Sequence, residues 1–180
     1  MSKNQSRTFL LVLTALFVAC EVVMTRFLSP MVGGIVRIDT GVLPIAMLGI
    51  IAGPWVAGVG YAIGDIIGML IWPSGAYFPG FTFTLFLTGV LFGFFLYKKE
   101  KIKIKDVILP SLIVVLFCNL VLDTIWLTIL MNQGFIALLP ARLIKVLIAF
   151  LLQIIFIPLV WNTIFAKNPS IKRVRGMGNR

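Results

Sequence analysis

Residues 137–165 read ALLPARLIKVLIAFLLQIIFIPLVWNTIF. A helix needs about 20 predominantly apolar residues to cross the hydrocarbon core of a bilayer. This run is longer than that, and its only charges, Arg142 and Lys145, stand near one end. It therefore reads as a membrane span. Five further apolar runs precede it, at about 8–29, 41–53, 54–72, 80–97 and 107–131, separated by short polar breaks. The pattern predicts an all-α integral membrane protein: one domain over residues 1–180, a bundle of six transmembrane helices, and a basic tail at 166–180.

The composition agrees. Of 180 residues, 60% are hydrophobic and 12% charged, with a mean hydropathy of +1.08. A soluble domain carries about a quarter charged residues, and a single small core could not enclose this much apolar surface. The 16 Gly and 9 Pro exceed what a simple coiled-coil bundle tolerates but are common in membrane helices. The second run is short for a crossing and is bracketed by Pro44 and Pro54, so it either tilts or draws on residues 30–40. The first run is long and lacks a clear cleavage site, and reads as a span, not a removed signal. Cys20 and Cys118 lie inside apolar runs and read as small hydrophobes, not as a disulfide.

The net charge of +10 has the look of a nucleic-acid protein until the cations are located. Lys3, Arg7, Lys98, Lys99, Lys101, Lys103, Lys105, Lys167, Lys172, Arg173, Arg175 and Arg180 make 12 of the 16. With six spans, all of them fall on one side of the membrane. The positive-inside rule places that side, and both termini, in the cytoplasm of a cell-membrane protein. The basic runs are then explained by topology and anionic lipid head groups, not by nucleic acid.

Four cations remain, Arg26, Arg37, Arg142 and Lys145, with four acids, Glu21, Asp39, Asp65 and Asp123. Charge within a bilayer is costly, so such groups face a partner or a cavity. One reading is a set of internal ion pairs that lock the bundle; the other is a polar ligand pocket. Depth favours the pocket. At about 1.5 Å of rise per residue, Arg26 lies ~27 Å from the cytoplasmic start of the first span, Asp123 ~24 Å up the fifth, and Arg142 and Lys145 within ~12 Å of the outer end of the sixth. Asn119, Asp123 and Trp126 share one helical face at i, i+4 and i+7, and Arg142 and Lys145 share another at i and i+3. Two cations on one face suit carboxylates, which arginine grips through paired hydrogen bonds. Glu21 points about 120° away from the line of Ala15 and Ala19 and has no evident role. The break at 72–82, WPSGAYFPGFT, forbids a continuous helix. Its Trp72, Tyr77 and Phe78 are either an interfacial aromatic belt or a lid over a planar ligand.

Small residues recur at intervals of four: Ala15 and Ala19; Gly60, Gly64 and Gly68; Gly89 and Gly93. Such faces let helices approach closely in lipid. The first serves either packing or a partner subunit. The chain lacks His altogether, which excludes His-based metal sites and bases. There is no P-loop signature, no nucleophile–base pair and no inverted repeat. An enzyme is therefore not expected, nor a cofactor or metal, and any cargo movement would draw energy from elsewhere.

Five stretches resemble the S components, the substrate-binding subunits, of energy-coupling factor (ECF) vitamin transporters: ALFVA at 15–19; RIDTGVLP at 37–44; residues 49–68 with Gly53–Pro54 and Gly64–Asp65; YFPGFT at 77–82; and LPARLIK at 139–145. The last points to the folate-specific branch. The resemblance implies a six-helix S-component bundle that captures folate on the extracellular side and is not itself an enzyme. It implies that Ala15 and Ala19 meet a membrane coupling subunit seated on two cytoplasmic ATPases, whose hydrolysis drives release. It also gives the residual charges roles. Arg26, Arg142 and Lys145, with Arg37 behind them, would hold the two glutamate carboxylates. Asp65, Asp123 and Asn119 would accept from the pterin edge, and Trp126, Tyr77 and Phe78 would cover flat rings. An S component for another vitamin or small metabolite, and a ligand-free assembly subunit, are the alternatives.

Overall fold

Between the second and third runs the chain breaks at Gly53, whose φ of 93° suits glycine, and Pro54 then opens the next helix. The computed structural model of the protein describes residues 3–29, 31, 32, 36, 37, 39–73, 76–132, 134–166, 168 and 171. Helix α1 spans Lys3–Phe27. A small antiparallel hairpin follows, β1 (Met31–Val32) and β2 (Val36–Arg37), in register Met31 to Arg37. Then come α2 (Val42–Ala52), α3 (Pro54–Ile71) and α4 (Pro79–Leu96). The fifth span is composite: α5 (Ile104–Ile113), a π-helical stretch (Val114–Leu122) and α6 (Asp123–Met131). The sixth is α7 (Phe135–Val160) continued by a π-helical turn, Trp161–Phe165. The basic tail beyond residue 166 lies outside the described residues, apart from Asn168 and Ile171.

Five of these units are long and apolar enough to cross a membrane, and α2 is shorter. The physical reason is its place. Val42 to Ile51 are all buried, and a helix apolar on every side belongs inside. Thus α2 is a core post ringed by α1, α3, α4 and α7, where its length need not match the bilayer. The surrounding helices turn Leu70, Phe94, Ile136 and Leu147 outward, as a lipid-facing surface requires.

Glycines set the tightest packing. A Cβ on Gly89 would meet the Ala57 carbonyl oxygen at 2.6 Å, and one on Gly93 would collide with the Pro54 backbone. Helices α3 and α4 therefore touch backbone to backbone. The glycines of α3 do something different. Gly64 leaves room for the Glu21 carboxyl and Gly68 for the Arg26 guanidinium, so two of the three small positions seat ionisable side chains of α1.

At one end, Trp161 donates to the Glu100 carbonyl and Asn162 exchanges hydrogen bonds with Ile102. This ties the lysine-rich loop to the end of the sixth span. The other end gathers the C-terminus of α1, the chain before α2, the end of α3, the start of α4, α6 and the start of α7.

Candidate functional site

Arg26, Asp65, Asp123, Arg142 and Lys145, the charges that stand in apolar surroundings, all lie toward that second end. Arg26 ends α1 with its side chain 4% exposed, and Asp65 of α3 faces it at 3.6 Å. Arg26 also donates to the Asp65 carbonyl and the Met69 sulfur, each at 3.4 Å. Asp65 in turn accepts from Thr82 at the start of α4 at 2.7 Å, and the same hydroxyl lies 3.2 Å from the phenol of exposed Tyr77. One connected set therefore runs from α1 through α3 to the 72–82 break.

A second set lies between α6 and α7. Asp123 stands 3.8 Å from the Arg142 guanidinium and 3.5 Å from the Lys145 ammonium. All three side chains are largely buried. Two cations thus share one carboxylate, at distances too long for good hydrogen bonds. These three groups together carry one excess positive charge, although each cation does have an internal acid beside it and Asp39 lines a cavity with Lys145. The sequence left ion pairs and a ligand pocket as alternatives; here the same groups form pairs and leave a positive excess.

Aromatic side chains link the two sets. Phe78 packs on Trp126 with ring centroids 5.6 Å apart and on Phe81 at 6.2 Å. The Trp126 indole donates to Thr84 at 3.0 Å. Gly80 permits this arrangement, because a Cβ there would meet the Trp126 ring at 2.5 Å.

Below the cations is a small polar cavity of about 20 Å³, bounded by Asp39, Tyr61, Thr88, Asn119, Lys145 and Gln153 among others. Asn119 lies in the π-helical stretch and lines the cavity with Lys145 of α7 and Thr88 of α4, while Asp123 meets Arg142 and Lys145 of α7 and Trp126 meets Thr84 of α4. The backbone of Arg37 sits in β2, which packs near α7; its side chain lies outside the described residues. Sequence reasoning counted Asp39 among the residual acids without giving it a role, and passed over Tyr61, Thr82, Thr84 and Gln153. Asp39 joins the set through Thr25, which bonds both Glu21 and Asp39, and Tyr61 joins through Asp39.

Ala15 and Ala19 are not in this site. They are exposed and line an apolar groove of about 780 Å³ between α1 and α3, with Val59, Ile63 and Trp55 on the facing wall. Cys20 and Cys118 are both free thiols.

Comparison with known proteins places the chain. The family described as the S component of the ECF-type riboflavin transporter matches residues 5–165. A folate transporter, FolT, from Clostridium novyi (strain NT) is 41% identical over 150 residues, 83% of this chain and 86% of that protein. A FolT from Leuconostoc mesenteroides subsp. mesenteroides is 29% identical over 158 residues, 84% of this chain and 83% of that protein. Among solved structures, a crystal structure of FolT bound with folic acid superposes with a TM-score of 0.77 at 35% identity, covering 84% of this chain and 92% of the other.

Proposed function

The chain belongs to the S-component family of ECF-type transporters, and from that premise we propose that it is the folate-binding membrane subunit of an ATP-driven vitamin importer. As a member it is a multi-pass membrane protein that binds substrate and is not an enzyme. The observation that carries the folate reading is the cluster in which Arg142 and Lys145 share Asp123. Folate ends in a glutamate with two carboxylates, and a buried group of two cations around one carboxylate suits them. The Phe78–Trp126 pair offers the flat apolar surface that a pterin or aminobenzoyl ring needs. Asp65, Asn119 and Tyr77 stand within the same end of the bundle, as do Arg26 and Asp123, and would complete the polar contacts. The two relatives named as folate transporters support the same reading.

In this account folate enters from the extracellular side, with both termini and the lysine-rich loop in the cytoplasm. The groove bearing Ala15 and Ala19 seats the coupling subunit, and two ATPases behind it supply the energy. The subunit uses no cofactor of its own.

The test is equilibrium titration of the purified protein with folate and, separately, with riboflavin, followed by quenching of its four tryptophans. Saturable quenching by folate with no competition by riboflavin is expected. A response to riboflavin alone would assign the chain to the other vitamin. No response to either would leave an assembly subunit.

A further inference from the structure

Glu21 has no part in the site above, yet it is 1% exposed in the middle of a membrane helix. One of its oxygens, Oε2, has no hydrogen-bond partner among the described residues and fills the space that the missing side chain of Gly64 leaves. The other oxygen, Oε1, lies 2.9 Å from the Thr25 hydroxyl, which also lies 3.2 Å from Asp39 Oδ1. Asp39 Oδ1 accepts the Gly41 amide at 2.9 Å, and its Oδ2 accepts the Tyr61 hydroxyl.

Thr25 has one hydroxyl hydrogen and stands between two carboxyl oxygens, so both contacts are full hydrogen bonds only when it donates to one and accepts from the other. That arrangement needs a proton on one of the two acids. Asp39 already receives donors on both oxygens, which favours its ionised form; Glu21 receives none besides Thr25, and a charge on its buried Oε2 would be uncompensated. The remaining charged and titratable groups facing Glu21 are Asp65 and Tyr61 on α3 and Arg26 on its own helix, with Arg26 held against Asp65 at 3.6 Å.

We propose that Glu21 is a neutral, protonated positioning residue: it donates to Thr25, Thr25 donates to Asp39, and the relay fixes the Asp39 carboxylate in the wall of the cavity it shares with Lys145. Asp39 lines that cavity together with Asn119 and Lys145, so the relay sets one of the polar groups that the ligand's inner end would meet. The proton itself rests only on the hydrogen-bond count; its consequence for binding rests on the folate reading.

Glutamine reproduces the neutral acid, because its amide can donate to Thr25 in the same way. The first measurement is infrared absorption of the full-length protein in lipid nanodiscs, wild type minus Glu21→Gln. A protonated-carboxyl C=O band present in the wild type and lost in the variant is expected; a difference spectrum without that band overturns the assignment. The second is folate affinity against pH. Glu21→Gln should stay within about threefold of wild type at neutral pH and lose the weakening that wild type shows as pH rises, since raising the pH strips a proton that glutamine cannot lose. Glu21→Ala should bind at least tenfold more weakly. Glu21→Gln binding as weakly as Glu21→Ala, or equal pH profiles for wild type and Glu21→Gln, would overturn the relay. A wild type that ignores folate at every pH would sink the functional reading instead, and the infrared difference would still decide the proton.

Discussion

The proposed folate site turns on Asp123. It neutralises half of the charge that Arg142 and Lys145 bring, and removing one partner of a buried pair leaves the rest exposed to the full desolvation cost. Asp123→Asn should therefore lower the stability of the ligand-free protein by about 3–5 kcal/mol. Folate should recover more of that loss than it adds to the wild type, because its carboxylates replace the missing charge. Thermal unfolding in detergent with and without folate measures both effects. Arg142→Ala should weaken folate binding by about 1–3 kcal/mol, read by tryptophan quenching. The sequence showed which ionisable residues are too costly to be idle, since Arg26, Asp65, Asp123, Arg142 and Lys145 stood out in apolar surroundings. It could not show who pairs with whom, because the partners of Arg26 and Arg142 come from other helices. Asp39 was counted with them, but its place between two spans gave it no depth or helical face from which to read a role.

At the scale of helices, glycines differ in what an added side chain would meet. A Cβ on Gly93 would abut the Pro54 backbone, whereas one on Gly134 would meet nothing within 4 Å. Gly93→Ala should force α3 and α4 apart and destabilise the protein by about 1–3 kcal/mol, while Gly134→Ala should leave thermal unfolding unchanged. The six apolar runs were legible because lipid demands them. The role of α2 was less so: its eleven residues are short for a span and suit a core helix, a distinction that depends on what surrounds it. The π-helical stretch, Val114–Leu122, leaves no mark in composition, and so the sequence read the fifth span as one continuous α-helix.

On the whole molecule, the proposed ligand site and the proposed partner groove occupy different places. The charged and aromatic site is inside one end, and the groove bearing Ala15 and Ala19 is on the outer surface between α1 and α3. Replacing both alanines with tryptophan should abolish co-purification with the coupling subunit while folate affinity stays within about threefold of wild type, since a bulky pair fills the groove without touching Asp123 or its partners. Loss of folate binding in that variant would join two sites that the fold keeps apart. The central claim is that the α7 cations hold the carboxylates of the ligand. Its most direct test compares folate with folate diamide, whose carboxylates are capped, on wild type and Arg142→Ala by isothermal titration. The wild type should prefer folate by at least tenfold and the variant should lose most of that preference. An equal preference in both proteins would contradict the claim.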